Sequence, residues 1–183
     1  IVNLAEKLAF LFYNNPQISK AKLGQFFGEP DDIYQDTMIL YFDYEDYRGV
    51  RIDEAMSSFM NLFDLPSESQ KIDRVLQKFA AKYSKDNSAT ISEKCTYGLS
   101  FLIMMLQSEW HNPQVEVKMS YEQFMKLGMN IEEYEKYLTE ALMKGVYETV
   151  TKKTLGSPDY YRGASGLPSL NFIEMQSVKY FQK

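Results

Sequence analysis

One histidine, His111, and one cysteine, Cys95, limit the covalent chemistry open to this 183-residue chain. Two such residues cannot complete a structural zinc site, and no Cys-x-x-Cys or His-Glu-x-x-His spacing occurs. There is also no Gly-x-x-x-x-Gly-Lys or Gly-x-Gly-x-x-Gly run, so the chain does not bind nucleotide by those devices. A Cys95–His111 dyad fails on distance. The apolar pattern predicts a helix between them, and about 16 residues at 1.5 Å each set the pair about 24 Å apart. Cys95 reads as a small core residue and His111 as a turn or interface residue.

Glu68 is placed differently. It follows Leu65-Pro66-Ser67, where the proline breaks the chain, and precedes Ser69-Gln70-Lys71-Ile72, where helical spacing begins. Ser67 and Gln70 have the spacing of a capping box. Glu68 then stands where free N–H groups and the positive end of the helix dipole favour a negative side chain. Flanked by Ser67 and Ser69, it belongs to no apolar stripe. First-turn glutamates also stabilise helix starts and do nothing else, so position alone does not separate the two readings.

The elements that would carry these residues are helical almost throughout. The pattern predicts a helix over 2–14 stopped by Asn14-Asn15-Pro16, and one over 20–27 with Ser19 as N-cap and Gly28 as its end. Pro30 and Asp31-Asp32 open a helix running to Tyr47, and 53–63 gathers Ala55, Met56, Phe59, Met60 and Phe63 on one face. After Ser67, the apolar face is Ile72, Val75, Leu76, Phe79, Ala80 and Tyr83. Ser92 caps a helix over 93–109 whose centre, Leu99 to Leu106, is apolar nearly all round and reads as the buried central helix. Ser120 with Gln123 opens a short helix, and Asn130 with Glu133 a longer one to Val150. From Leu155 to Ser169 the composition shifts to Gly, Ser, Pro and Tyr and reads as linker, followed by a short helix or strand over 171–181. The result is a single all-α domain of roughly seven to nine helices with a C-terminal tail.

The bulk numbers agree with such a domain. A hydrophobic content of 45% supports one sizeable core. A net charge of −5, with no basic block beyond Lys152-Lys153, excludes nucleic acid or anionic lipid as the main partner. The longest apolar stretch is far below the ~20 residues a membrane helix needs. A lone cysteine fits a cytosolic chain. The chain opens Ile-Val-Asn-Leu without an initiator Met and reads as a piece of a longer protein.

The run Leu65-Pro66-Ser67-Glu68-Ser69-Gln70-Lys71-Ile72-Asp73-Arg74 closely resembles a signature of the exchange domain of Arf guanine-nucleotide exchange factors, the Sec-seven family. There it reads Leu-Pro-Gly-Glu-Ala/Ser-Gln-Lys-Ile-Asp-Arg. The likeness continues through Phe79-Ala80 and Tyr83-Ser84-Lys85-Asp86-Asn87. A second signature is recognisable in Ile103-Met104-Met105-Leu106, His111-Asn112-Pro113-Gln114-Val115 and Lys118-Met119. Lys22-Leu23-Gly24 and Arg51-Ile52-Asp53-Glu54-Ala55 fit the same pattern. The resemblance covers residues 4–150. It implies an exchange domain over 1–150, lacking the family's first helices with their Asn-x-Lys-Pro-Lys stretch, and a linker and tail of unknown role over 151–183.

The implied fold is an all-α, right-handed helical array with a hydrophobic groove. An Arf-family small GTPase inserts its switch regions there, and Glu68 is the catalytic finger that reaches the Mg²⁺ and β-phosphate site. Gln70, Asp73, Gln107 and Asn112 would give polar contacts to the GTPase. Leu65, Phe101, Met105 and Met119 would line the groove. The domain itself would need no cofactor and no metal, since GDP, GTP and Mg²⁺ belong to the GTPase. The resemblance places the protein in the cytoplasm, peripheral to Golgi, endosomal or plasma membranes, with membrane association only indirect and no nucleic acid involved.

Several residues depart from the family pattern. Ser67 replaces a usual Gly and Asp64 a common Arg. Gln107-Ser108-Glu109 stands for Asn-Thr-Asp, Trp110 for Leu, and Lys126–Asn130 is a shortened segment. These changes leave a second reading, a catalytically impaired helical scaffold that still binds Arf. A third, a small hydrolase, lacks a base and nucleophile in one pocket. In the family, sensitivity to brefeldin A depends on positions falling here at Phe101, Leu102, Glu109 and Met119. Phe101-Leu102 differs from the sensitive Tyr-Ser pair, which implies poor inhibition. Tyr160-Tyr161 and Phe172-Ile173 in the tail could occupy an apolar groove and autoinhibit.

Overall fold

The structure, a computed structural model, describes residues 3–156. Among them nine helices and no strand are present: α1 (Leu4–Tyr13), α2 (Lys20–Gly28), α3 (Asp32–Phe42), α4 (Ile52–Met60), α5 (Ser69–Asp86), α6 (Glu93–His111), α7 (Tyr121–Gly128), α8 (Tyr134–Tyr137) and α9 (Glu140–Lys152). Most of the expected linker, the element over 171–181, and the tail aromatics Tyr160-Tyr161 and Phe172-Ile173 lie outside the described residues. No helix among the described residues is long and apolar enough to cross a membrane.

Caps explain most helix starts. Ser19 Oγ accepts from the Lys22 N–H at 3.3 Å and Ser92 Oγ from the Cys95 N–H at 3.2 Å. Ser120 and Gln123 form both bonds of a capping box, at 3.2 and 2.9 Å. Each satisfies N–H groups that a helix start leaves orphaned.

Three of the boundaries that differ from the sequence reading bear on the packing. The first is α3, which stops at Phe42 rather than Tyr47. Tertiary bonds pull the chain out of the helix there: the Tyr47 N–H donates to Asp86 Oδ2 at 2.9 Å, and Asn87 Nδ2 donates to the Tyr47 carbonyl at 2.9 Å. The second is α5, where Glu68, not Ser67, is the N-cap and makes no side-chain cap bond. The third is the long helix expected from Asn130. Ile131 is buried against Gly98 of α6, where an added Cβ would meet Ile131 Cγ2 at 2.8 Å. That anchor holds the chain in a turn, Glu133 takes a left-handed φ of 62°, and only α8, a single turn, forms. Thr139 then caps α9 through the Leu142 N–H at 3.1 Å.

The core is built around α6, buried from Cys95 to Ser108, with α5 packed along it and α4, α7 and α9 on other sides. α1 lies on α3, and α2 braces α5. Aromatic rings fill the space between α2, α3, α4 and α5. Phe27 and Phe63 meet edge to face at 5.1 Å, and Phe59 stacks on Phe79 at 4.7 Å.

Candidate functional site

The loop before α5 is fixed at its base and open at its tip. Leu65 and Pro66 are buried, whereas Ser67 and Glu68 are exposed. The loop lies directly on α2: the Asp64 N–H donates to the Lys20 carbonyl at 3.1 Å, and an added Cβ on Gly24 would fall 1.7 Å from the Asp64 carbonyl oxygen. Only glycine permits that approach. The Glu68 side chain is 65% exposed and lies 3.5 Å from Lys71 Nζ, one turn on.

The first turns of α5 hold the next residues. Gln70 is exposed. Asp73 is tied to α6, accepting the Tyr97 hydroxyl on Oδ1, and takes the Gln77 side-chain amide on Oδ2 at 2.9 Å. Both carboxylate oxygens thus face neutral donors. Arg74 turns away from any site and donates to the Gly28 carbonyl at 2.7 Å.

The expected groove residues on α6 and just beyond it are inside. Phe101 is fully buried, and Met105 and Met119 are 5% and 4% exposed. Leu65 is equally enclosed. Gln107, expected among the contacts to the GTPase, faces the interior of the fold. It is 0% exposed, accepts the Leu155 N–H on Oε1 at 2.6 Å, and points Nε2 at Met60 Sδ at 3.9 Å. Its amide is used inside the fold, because a polar group on a helix buried all round must find an internal partner.

Asn112 caps α6 with its side chain at the turn, accepting the Gln114 N–H on Oδ1 at 3.0 Å. Lys118 Nζ closes the same end, donating to the Glu109 and Asn112 carbonyls at 3.0 and 2.6 Å. A cation there satisfies orphan carbonyls and opposes the negative end of the dipole. Burial pushes the Glu109 carboxyl above its ordinary range, partly offset by Lys118. His111 ends α6 rather than lying in the turn. Its Nε2 is 2.7 Å from the Val150 carbonyl, an acceptor only, so that nitrogen carries a proton.

The described residues therefore contain a carboxylate on a braced tip, a second, oriented carboxylate one turn and a half along α5, and a capped amide ending α6. No group of three or more His, Cys, Asp or Glu is placed among them to hold a metal ion. Cys95 and His111 sit at opposite ends of α6 and do not pair.

The model of the Sec7 domain matches residues 1–155. The chain belongs to the Sec7 domain family. It is 36% identical over 148 residues to brefeldin A-inhibited guanine nucleotide-exchange protein 2 of Arabidopsis thaliana, covering 80% of this chain and 8% of that protein. It is 32% identical over 153 residues to the human brefeldin A-inhibited guanine nucleotide-exchange protein 1, covering 82% and 8%. The chain thus spans under a tenth of these relatives. Among solved structures it is similar to the Sec7p catalytic domain, with a TM-score of 0.75, 29% identity, and 81% and 79% of the two chains covered. It is similar as well to a Sec7 domain bound to ARF1-GDP and brefeldin A, with a TM-score of 0.76, 27% identity, and 85% and 78% covered.

Sequence reasoning missed the bracing of this Sec7 domain's tip by α2. Lys71 Nζ is 2.8 Å from Glu29 Oε1 and 3.1 Å from Gln25 Oε1, both on or next to α2. The one signal available was the three-residue spacing of Glu68 and Lys71, which permits a pair on a helix surface.

Proposed function

We propose that this Sec7 domain is a guanine-nucleotide exchange factor that accelerates GDP release from an Arf-type GTPase through Glu68. The observation that carries the reading is the placement of Glu68: an exposed carboxylate at the head of α5, on a loop whose Leu65-Pro66 base is buried. Family membership supports it, since relatives are named as nucleotide-exchange proteins and a similar Sec7 domain is seen with ARF1-GDP.

The physics needs a carboxylate and no covalent step. GDP is held by Mg²⁺ and by a lysine cradling its phosphates. A negative charge brought beside the β-phosphate repels it and competes for that lysine. At ~4 Å and an effective dielectric near 20, one such repulsion is about 4 kcal/mol. At 1.4 kcal/mol per decade this is on the order of a thousandfold faster release. The buried base of the loop matters because a tip already held in place loses less entropy on insertion. Nucleotide and Mg²⁺ belong to the GTPase, so the domain needs no cofactor of its own. It works at membranes where the GTPase resides, attached through that partner or through other parts of a longer protein.

The test is release of mantGDP from an Arf protein by wild type and by Glu68→Lys. The substitution should cut the accelerated rate by on the order of a thousandfold. Equal rates would remove Glu68 from the mechanism. Tight binding of the GTPase by wild type without release would identify a scaffold instead.

A further inference from the structure

We propose that Lys71 is a positioning residue that holds Glu68 back until the finger inserts, in the docked complex as well as in the free domain, and that Glu29 and Gln25 let it release Glu68 without losing its own partners. The inference rests on the reading of Glu68 as the finger.

Lys71 is a fixed post. Its stem lies against Gly28, where an added Cβ would come within 2.7, 2.8 and 2.9 Å of Lys71 Cβ, Cδ and Cγ. Its side chain is 14% exposed, and its ammonium is already engaged by Glu29 at 2.8 Å and Gln25 at 3.1 Å. Glu68 is the loose member, 65% exposed, free of any cap bond, and 3.5 Å from the same ammonium. A surface lysine usually gives little to an ion pair because ordering its long stem offsets the attraction. Here packing against Gly28 has already fixed the stem, so only the glutamate must be ordered.

This asymmetry sets the direction of control. Until insertion, Lys71 draws the Glu68 carboxylate back over the start of α5. On insertion Glu68 leaves, and Lys71 keeps Glu29 and Gln25, so no buried charge is orphaned. Without Glu29 the ammonium depends more on Glu68, and the finger is held more firmly. Without the ammonium the finger is released. Pairs of this exposure shift an equilibrium by about two- to fivefold.

The experiment measures mantGDP release from an Arf-type GTPase against concentration of the domain, so that maximal rate and half-saturating concentration are read separately. Lys71→Met should raise the maximal rate about two- to fivefold at low salt, leaving half-saturation unchanged. Glu29→Gln should lower the maximal rate by a similar factor, and should do nothing in the Lys71→Met background. Lys71→Arg should restore wild-type rates. An unchanged or lower maximal rate in Lys71→Met, or an effect on half-saturation alone, overturns the proposal. Glu68→Gln run beside these tells the two readings apart: if it releases GDP as fast as wild type, the finger assignment fails. In that case the Lys71 ammonium NMR signal decides the hold. It should move on Glu68→Gln, and move further when Glu29 is also Gln. No movement in either background overturns it.

Discussion

Phe101 and Leu102 are both fully buried, and neither carries a hydroxyl. Brefeldin A sensitivity in the family depends on Tyr and Ser at the matching positions. A polar ligand meeting Phe and Leu there loses hydrogen bonds while still being desolvated, a combination that costs more than the bonds themselves contribute. Inhibition of exchange by brefeldin A should therefore be weak. The relatives named as brefeldin A-inhibited make this a sharp comparison, and strong inhibition in a dose–response series would contradict it. Cys95 makes a second prediction at this scale. Burial, with a smaller contribution from Glu133, pushes its thiol up to about 12 from an ordinary 9.0. A raised folded value means the native state keeps the proton, so stability is unaffected below the unfolded value and is lost as pH climbs from there toward about 12. Because the thiolate is the nucleophile, iodoacetamide at mildly alkaline pH should leave Cys95 unlabelled in the native protein and label it after denaturation. Rapid native labelling would show that the start of α6 opens.

The start of α5 depends on α2. Gly24→Ala would place a Cβ 1.7 Å from the Asp64 carbonyl oxygen, a backbone atom that cannot step aside alone. The loop from Asp64 to Glu68 must lift. Overpacking of this kind costs about 1–3 kcal/mol. The expected result is a lowered denaturation midpoint together with slower exchange, although Gly24 is a buried residue inside α2. Unchanged exchange with lowered stability would show that the tip tolerates displacement of its base. The same element shows what sequence can reveal. Ser19, Ser92 and the Ser120–Gln123 pair were legible because a cap is local chemistry: the donor, the acceptor and the spacing are all in one short run. Ser67–Gln70 and Asn130–Glu133 have the same spacing and make no such cap. Their backbones are set by distant contacts, α2 beneath the Asp64 loop and Gly98 beneath Ile131. The head of α5 with Glu68 was readable; the post that Lys71 makes against Gly28 was not, since 43 residues separate the two along the chain (71 − 28).

At the scale of the described residues, polar side chains tie α4 and α6 to α9 and to the segment after it. Arg51 pairs with the fully buried Asp53 at 2.6 Å and reaches Thr149 Oγ1 at 2.8 Å, joining α4 to α9. Beyond α9, Leu155 enters the core, and the Gly156 N–H donates to Ser57 Oγ at 3.1 Å. Gln107 closes this arrangement from the last turns of α6. The resemblance implies a polar contact from Gln107 to the GTPase; in the fold its Oε1 takes the Leu155 N–H, a backbone group that no sequence pattern advertises. Gln107→Leu keeps the volume nearly constant and removes the acceptor, leaving a buried N–H unsatisfied. That costs about 1–3 kcal/mol. The loss should be local in its first effect: hydrogen exchange at Leu155 and Gly156 should accelerate, with the helices α5 and α6 still protected, since their bonds do not pass through this contact. If Gln107 instead met the GTPase directly, the substitution would weaken binding of the partner and leave exchange at Leu155 unaltered. Running both measurements on one variant distinguishes a residue that holds the molecule together from one that touches what it binds.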